Sequence, residues 1–188
     1  MTAEIRPYDP ETDADALYEL KAAFERGLGE STGGEGKAAA YEEKLTDEYR
    51  ERWLTWVERC VADDERCVTV AVDEGGERGG GDRDADDPDR DGDTDEPGLV
   101  GYGFVLPERL AMVWDAAVIN ELYVAPARRG TGVADDLLDA AVALAADQDL
   151  PLDRMVLDVD PENERAKAFY DRHGFERWGE LVARPLDG

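Results

Sequence analysis

Beyond residue 132 the apolar positions Val133, Leu137, Leu138, Ala141, Val142 and Ala145 recur at helical spacing, which predicts a helix with one buried face. Before it, Asn120 to Val124 (NELYV) is a run of strand formers, ended by Pro126 because proline cannot extend a hydrogen-bond ladder. After it, Leu150-Pro151 closes the helix, and Arg154 to Val159 (RMVLDV) reads as a mostly buried strand. Pro161-Glu162-Asn163 then turns the chain into another helix, on which Ala166, Phe169 and Tyr170 are spaced three and four apart. His173-Gly174 is its stop, with glycine at C′, and Phe175 returns to the core.

The earlier chain supplies support. Ile5 to Tyr8 reads as an opening strand, and Glu11 to Arg26 as a helix with Ala16, Leu17, Leu20, Ala23 and Phe24 on one face. Thr12 or Asp13 is its expected cap, and Gly27 and Gly29 its expected stop. Glu30 to Gly36 reads as a flexible connection, and Tyr41 to Val61 as one further helix carrying Leu45, Tyr49, Trp53, Trp56 and Val57. Strands are expected at Cys67 to Val72, Gly98 to Leu106 and Ala116 to Val124, with a last one at Glu176 to Arg184.

One loop carries chemistry. Arg128-Arg129-Gly130-Thr131-Gly132-Val133-Ala134 leads from a strand into a helix N-terminus, where several backbone N–H groups are left unpaired and point the same way. Such a cluster holds phosphate oxygens. Gly130 and Gly132 allow close backbone approach, and Arg128 and Arg129 add charge-assisted donors. Asp135 and Asp136 lie in the first turn, favoured there by the helix dipole but unsuited to a pure anion trap, so the amides must do most of the holding. Tyr170 adds a proton donor on the second helix.

The order strand, Arg129-Gly130-Thr131-Gly132-Val133-Ala134, helix, strand, then Asn163, Ala166, Phe169, Tyr170, Gly174 and Phe175 closely resembles the GNAT superfamily of acetyl-CoA-dependent N-acetyltransferases. The resemblance covers roughly Leu99 to Val182. It implies an α/β (α+β) fold, with a mixed, mostly antiparallel sheet splayed around an acetyl-CoA site and flanked by helices. It also implies that the amides from Arg129 to Ala134 bind the coenzyme A pyrophosphate and that Leu122, Tyr123 and Val124 pair with the pantetheine arm. Asn163 would touch that arm beside Ala166 and Phe169, and Tyr170 would protonate the departing thiolate. Tyrosine chemistry agrees, because the phenol keeps its proton until a pH of about 10. In many members a carboxylate on the strand entering the loop takes the proton of the incoming amine. Glu121 occupies that strand beside Asn120, and a surface or ladder-flanking role for it stands as the alternative. Asp115 and Asp158 are weaker candidates of the same type. The acceptor would be a small-molecule or protein amine, held by the helices and loops before Gly98. Trp53 and Trp56 read as core or dimer packing, with an acceptor-pocket wall as the alternative. A homodimer is compatible with family habit.

Composition narrows the partners. The 188 residues are expected to form one domain, and 47 acidic against 21 basic residues give a formal charge of −26. Nucleic acid and anionic membrane both require a basic footprint that this surface lacks. The acidity reads as the adaptation of a salt-accumulating halophile, whose ionic strength screens self-repulsion. With no signal peptide or long apolar run, a soluble cytoplasmic protein is expected. Asp73 to Pro97, crowded with Asp, Gly, Arg and Pro, reads as a disordered hairpin insertion. Its spacing does not give a twelve-residue calcium loop, and no metal site is expected there or at Cys60 and Cys67, which read as buried thiols. His173, the single histidine, suits a helix C-terminus, with no acid or serine spaced to partner it. Two alternatives stay open. A non-catalytic acyl-CoA-binding regulator could use the same fold. A dinucleotide oxidoreductase could use Gly130-x-Gly132 with Asp153 or Asp158, but its third glycine is replaced by Asp135 and the chain has few strand–helix repeats.

Overall fold

A computed structural model describes residues 3–31, 37–73, 98–182 and 184. The expected insertion lies outside the described residues from 74 onward, as do residues 32–36 of the expected connection. The elements run β1 (Glu4–Pro7), α1 (Ala14–Ser31), α2 (Lys37–Glu43), α3 (Asp47–Asp63), β2 (Val68–Val72), β3 (Leu99–Val105), α4 (Glu108–Ala111), β4 (Ala117–Val124), α5 (Val133–Asp147), β5 (Met155–Val156) and α6 (Glu164–Arg172).

The five strands form one sheet in sequence order, antiparallel from β1 to β4 and parallel only between β4 and β5. A single parallel pair among the described residues is not the doubly wound sheet that the dinucleotide-oxidoreductase alternative requires. Period-two alternation divides the faces. Register sets Val70 opposite Tyr102 and Tyr102 opposite Tyr123, and these side chains join the buried core with Leu17, Trp53, Leu54 and Val57 from α1 and α3. Trp53 and Trp56 stack on Tyr102 and Phe104 at centroid distances of 6.5 and 4.9 Å, in keeping with core packing. The opposite face receives α5. Gly101 is required there, because a Cβ would come within 2.8 Å of the Tyr123 carbonyl oxygen and 3.2 Å of Leu137 Cδ1.

Several boundaries differ from expectation. Gly27 and Gly29 do not stop α1, which runs to Ser31. Glycine in a helix costs about 1 kcal/mol, and packing of the buried Leu17, Lys21 and Glu25 on that helix outweighs it. The Asp13 side chain holds Arg6 at 2.6 Å and accepts from the Asp9 amide at 2.9 Å rather than from an amide of α1. The long helix expected from Tyr41 is broken at residues 44–46, because Thr46 caps α3 by accepting from the Tyr49 amide. Cys67 ends a short 3₁₀ turn and β2 begins at Val68. No strand follows α6 in residues 176–182. Trp178 instead lies under the Arg154 guanidinium, 4.8 Å from its ring centroid. No helix among the described residues is long and apolar enough to cross a membrane.

Candidate functional site

β4 and β5 pair only through Ala117 with Met155 and Val118 with Val156. Past that point they diverge, leaving the β5-facing edge of Ile119 to Val124 without a strand partner among the described residues. The chain then turns at Pro126–Arg128, where the Arg128 and Arg129 amides donate to the carbonyls of Ala125 and Pro126. Gly130 and Gly132 take positive φ, +76° and +96°, which glycine adopts without penalty. Gly132 is thereby the N-cap of α5 with no side chain to fill the cap. The amides of Gly130, Thr131, Gly132, Val133 and Ala134 have no hydrogen-bond partner among the described residues, whereas those of Asp135 and Asp136 return to the Gly132 carbonyl. Five consecutive donors free among the described residues thus open at the head of a fifteen-residue helix, an arrangement with the chemistry to hold phosphate oxygens.

Within the amide set expected from Arg129 to Ala134, the Arg129 N–H already donates to the Pro126 carbonyl. Both arginine side chains are also drawn away. Arg128 pairs with Asp73 beside β2, and Arg129 Nε donates to the Val124 carbonyl at 2.9 Å. Thr131 Oγ1 donates to the Arg128 carbonyl at 2.7 Å and closes the loop on itself. Of the expected arm-binding positions, Leu122, Tyr123 and Val124 lie on the free edge, with Tyr123 buried against Phe24 and Tyr102.

Asp135 gains partners that its spacing did not announce. Its Oδ1 accepts from Arg172 Nη2 at 2.7 Å and lies 2.9 Å from His173 Nε2, so the end of α6 is tied to the start of α5. The Arg172 hydrogen bond, with His173 contributing less, holds the Asp135 carboxyl below its ordinary value. The expectation that His173 has no acid partner is corrected, because the partner is 38 positions away. α6 ends as predicted. Gly174 at φ +80° donates to the Asp171 carbonyl, Phe175 donates to the Tyr170 carbonyl, and the Phe175 and Tyr170 rings pack at 5.3 Å. Tyr170 lies one turn before His173, and burial pushes its phenol up to about 12. Phe169 stacks on His173 at 4.6 Å. Asn163 Oδ1 caps α6 by accepting from the Ala166 amide at 3.0 Å, and its backbone N–H donates to the Asp160 carbonyl at 2.9 Å.

Glu121 is buried on the α1 side of β4. Its Oε1 meets Lys21 Nζ at 2.6 Å and Asn120 Nδ2 at 3.2 Å, while Oε2 accepts from the Tyr102 hydroxyl at 2.6 Å. Lys21 Nζ also lies 2.5 Å from Glu25, and Lys44 Nζ meets the other Glu25 oxygen at 2.6 Å. Burial opposes the charge on Lys21, yet Glu121 and Glu25 raise its pKa. Burial likewise opposes the charge on Glu25, yet hydrogen bonds from Lys21 and Lys44 hold its carboxyl below the ordinary value. Asp115 instead occupies a tight turn at φ +53°. Sequence reasoning missed Arg165, which burial and the neighbouring Arg129 charge lower below the usual guanidinium value. A lone arginine in a first helical turn gives no sequence signal. Two surface depressions, of 340 and 380 Å³, are lined by other parts of the chain, and neither includes the loop.

The profile of the Acetyltransferase (GNAT) family matches residues 35–175. A mycothiol acetyltransferase from Salinispora tropica is 36% identical over 103 residues, covering 47% of this chain and 33% of that protein. The matched stretch is therefore a third of that relative. The PaiA N-acetyltransferase from Thermoplasma acidophilum, solved with coenzyme A, superposes with a TM-score of 0.62 at 17% identity, over 94% of this chain and 91% of that one. AAC(6')-Iy, solved with the bisubstrate analogue CoA-S-monomethyl-acetylneamine, gives 0.60 at 14% identity, over all of both chains. At these identities the two structures share the fold with this chain.

Proposed function

The chain belongs to the acetyltransferase (GNAT) family, and on that premise we propose that it moves the acetyl group of acetyl-CoA to a primary amine by direct attack in a ternary complex. The reading rests on the five free amides from Gly130 to Ala134 at the mouth of the β4–β5 splay, a cradle for two linked phosphates. Relatives solved with coenzyme A or a coenzyme A analogue support the same ligand here. The open edge of Leu122 to Val124 offers backbone groups to an amide-bearing arm. Asn163, Ala166 and Phe169 would flank that arm from α6.

In the transfer, the amine nitrogen forms a bond to the thioester carbon, the carbon–sulfur bond breaks, and the sulfur leaves with the electron pair. Tyr170 supplies its proton to that thiolate, and a phenol raised to about 12 stays protonated at all working pH values. Glu121 takes the amine proton. Its Oε2 accepts one bond, from Tyr102, and a carboxylate oxygen has a second lone pair to offer. The test is thiol release from acetyl-CoA with a panel of amines. Wild-type turnover is expected, and a Glu121→Gln protein, close in shape but unable to accept the proton, should be at least tenfold slower. Acetyl-CoA binding with no release for any amine would favour the regulatory alternative, and unchanged Glu121→Gln turnover would remove Glu121 from the proton path.

The Asp135 clamp makes a further prediction. Arg172→Ala leaves His173 as the remaining partner of the Asp135 charge one residue beyond the free amides, so acetyl-CoA affinity should fall about tenfold. Adding Asp135→Asn should restore it. Additive losses in the double mutant, measured by titration, would show that Asp135 does not act through its charge.

A further inference from the structure

The buried ion cluster has an asymmetry. Lys21 alone lies between the carboxylates of Glu25 and Glu121, giving one positive charge against two negative charges in a site where all three side chains are 4–6% exposed. The second positive charge comes from Lys44, whose side chain is 37% exposed. Lys44 sits in the break between α2 and α3, where the Leu45 and Thr46 amides return to Glu42 and Lys44 carbonyls in a tight turn. No helix fixes its backbone. Its ammonium is nevertheless enclosed in a specific way, 2.6 Å from Glu25 Oε2, 4.3 Å from the Tyr41 ring centroid and 5.6 Å from that of Tyr49. Tyr49 also donates its hydroxyl to Glu25 Oε1 at 3.1 Å, which fixes the carboxylate and the ring together.

A carboxylate backed by two aromatic faces is what recognises an alkylammonium group, and here a side chain at the protein surface occupies it. The cage is also joined to the proposed reaction centre. Lys21 Nζ touches both Glu25 and Glu121, so one ammonium separates the cage from the β4 carboxylate. We infer that Glu25, Tyr41 and Tyr49 form a subsite for a second ammonium group of the acceptor, with Lys44 as its resident stand-in, so that the acceptor is an oligoamine. This rests on the acetyltransferase reading for the identity of the ligand. An amine with one ammonium group reaches only the Glu121 end, whereas an oligoamine displaces Lys44 and spans both carboxylates. The displaced Lys44 swings into solvent and the charge of the cluster is unchanged. The net charge of −26 adds a long-range attraction for such a ligand, but no selectivity among sites.

The experiment is calorimetric titration of spermidine and, separately, butylamine into the protein in molar potassium chloride, where attraction to the general acidic surface is screened. The wild type, Lys44→Ala and Tyr41→Leu are compared, with circular dichroism confirming that each is folded. Spermidine is expected to bind the wild type at least tenfold more tightly than butylamine. Lys44→Ala, which removes the competing cation, should tighten spermidine roughly three- to tenfold, and Tyr41→Leu, which keeps the Glu25 contact but loses a ring face, should weaken it by a similar factor. Butylamine should respond to neither. Equal affinity for the two amines, or spermidine binding that ignores both substitutions, would place the cation on the acidic surface and overturn the inference. Because these titrations need no acetyl transfer, a failed transferase reading is recognised apart from them, by an absence of heat when acetyl-CoA is added to the same folded protein.

Discussion

Tyr170→Phe is expected to lower kcat about a hundredfold or more while leaving acetyl-CoA affinity within a factor of two. The size follows from general acid catalysis, in which a positioned proton donor contributes about 10²–10⁴-fold. The selectivity follows from the surroundings of the ring. Phe169 and Phe175 pack on Tyr170 at 5.2 and 5.3 Å, so the ring stays in place when its hydroxyl is lost. Burial raises the phenol to about 12, and a raised value means that the proton is held until pH rises through it. The wild-type rate should therefore have no alkaline limb from Tyr170 below a pH of about 11. Single-turnover and equilibrium measurements on the mutant separate the two quantities. Equal turnover would assign thiolate protonation to water.

Lys21→Met is expected to destabilise the fold by about 3–5 kcal/mol, because it leaves buried carboxylates without the charge between them. For a chain of this length that is a fall in Tm of roughly 10 °C. An exposed pair such as Arg26–Glu42, at 2.8 Å, should by contrast contribute little when Arg26→Ala removes it. Salt separates the two, since buried charges are screened far less than exposed ones. Despite burial, Glu25 titrates below its ordinary value, so its contribution is present above pH of about 4.3 and is lost as pH falls through the lower folded value. Thermal melts of Lys21→Met in low and molar potassium chloride check this. A melting point within 2 °C of wild type would mean that the carboxylates neutralise themselves by taking up protons.

Local signals carried most of what the sequence could tell. The loop is legible because positive φ, a missing side-chain cap and a helix N-terminus all follow from Gly130 and Gly132 standing between a strand and an amphipathic run. The end of α6 is legible for the same reason, since Gly174 and the Phe175–Tyr170 contact are neighbours in sequence. The partners of Asp135 and Glu121 are not legible in this way. His173 and Lys21 lie 38 and 100 residues from them, and no spacing rule reaches across separate elements. Propensity also overreached where tertiary contacts decide. The break at Lys44 needed the Thr46 cap to be read against a continuous helical period, and the run after Phe175, with Trp178 and Val182 as its strand formers, has no strand partner among the described residues. Arg128 and Arg129 were plausible anion donors by type, yet Asp73 and the Val124 carbonyl take their side chains.

The central claim is that the free amides from Gly130 to Ala134 hold the pyrophosphate of acetyl-CoA. The measurement that tests it most directly is calorimetric titration of the folded protein, in molar potassium chloride, with acetyl-CoA and separately with a nicotinamide dinucleotide. The account predicts one-to-one binding of acetyl-CoA and none of the dinucleotide. No heat from acetyl-CoA, with circular dichroism confirming the fold, would contradict it and would mean that Asp135 and Asp136 keep phosphate out of the loop.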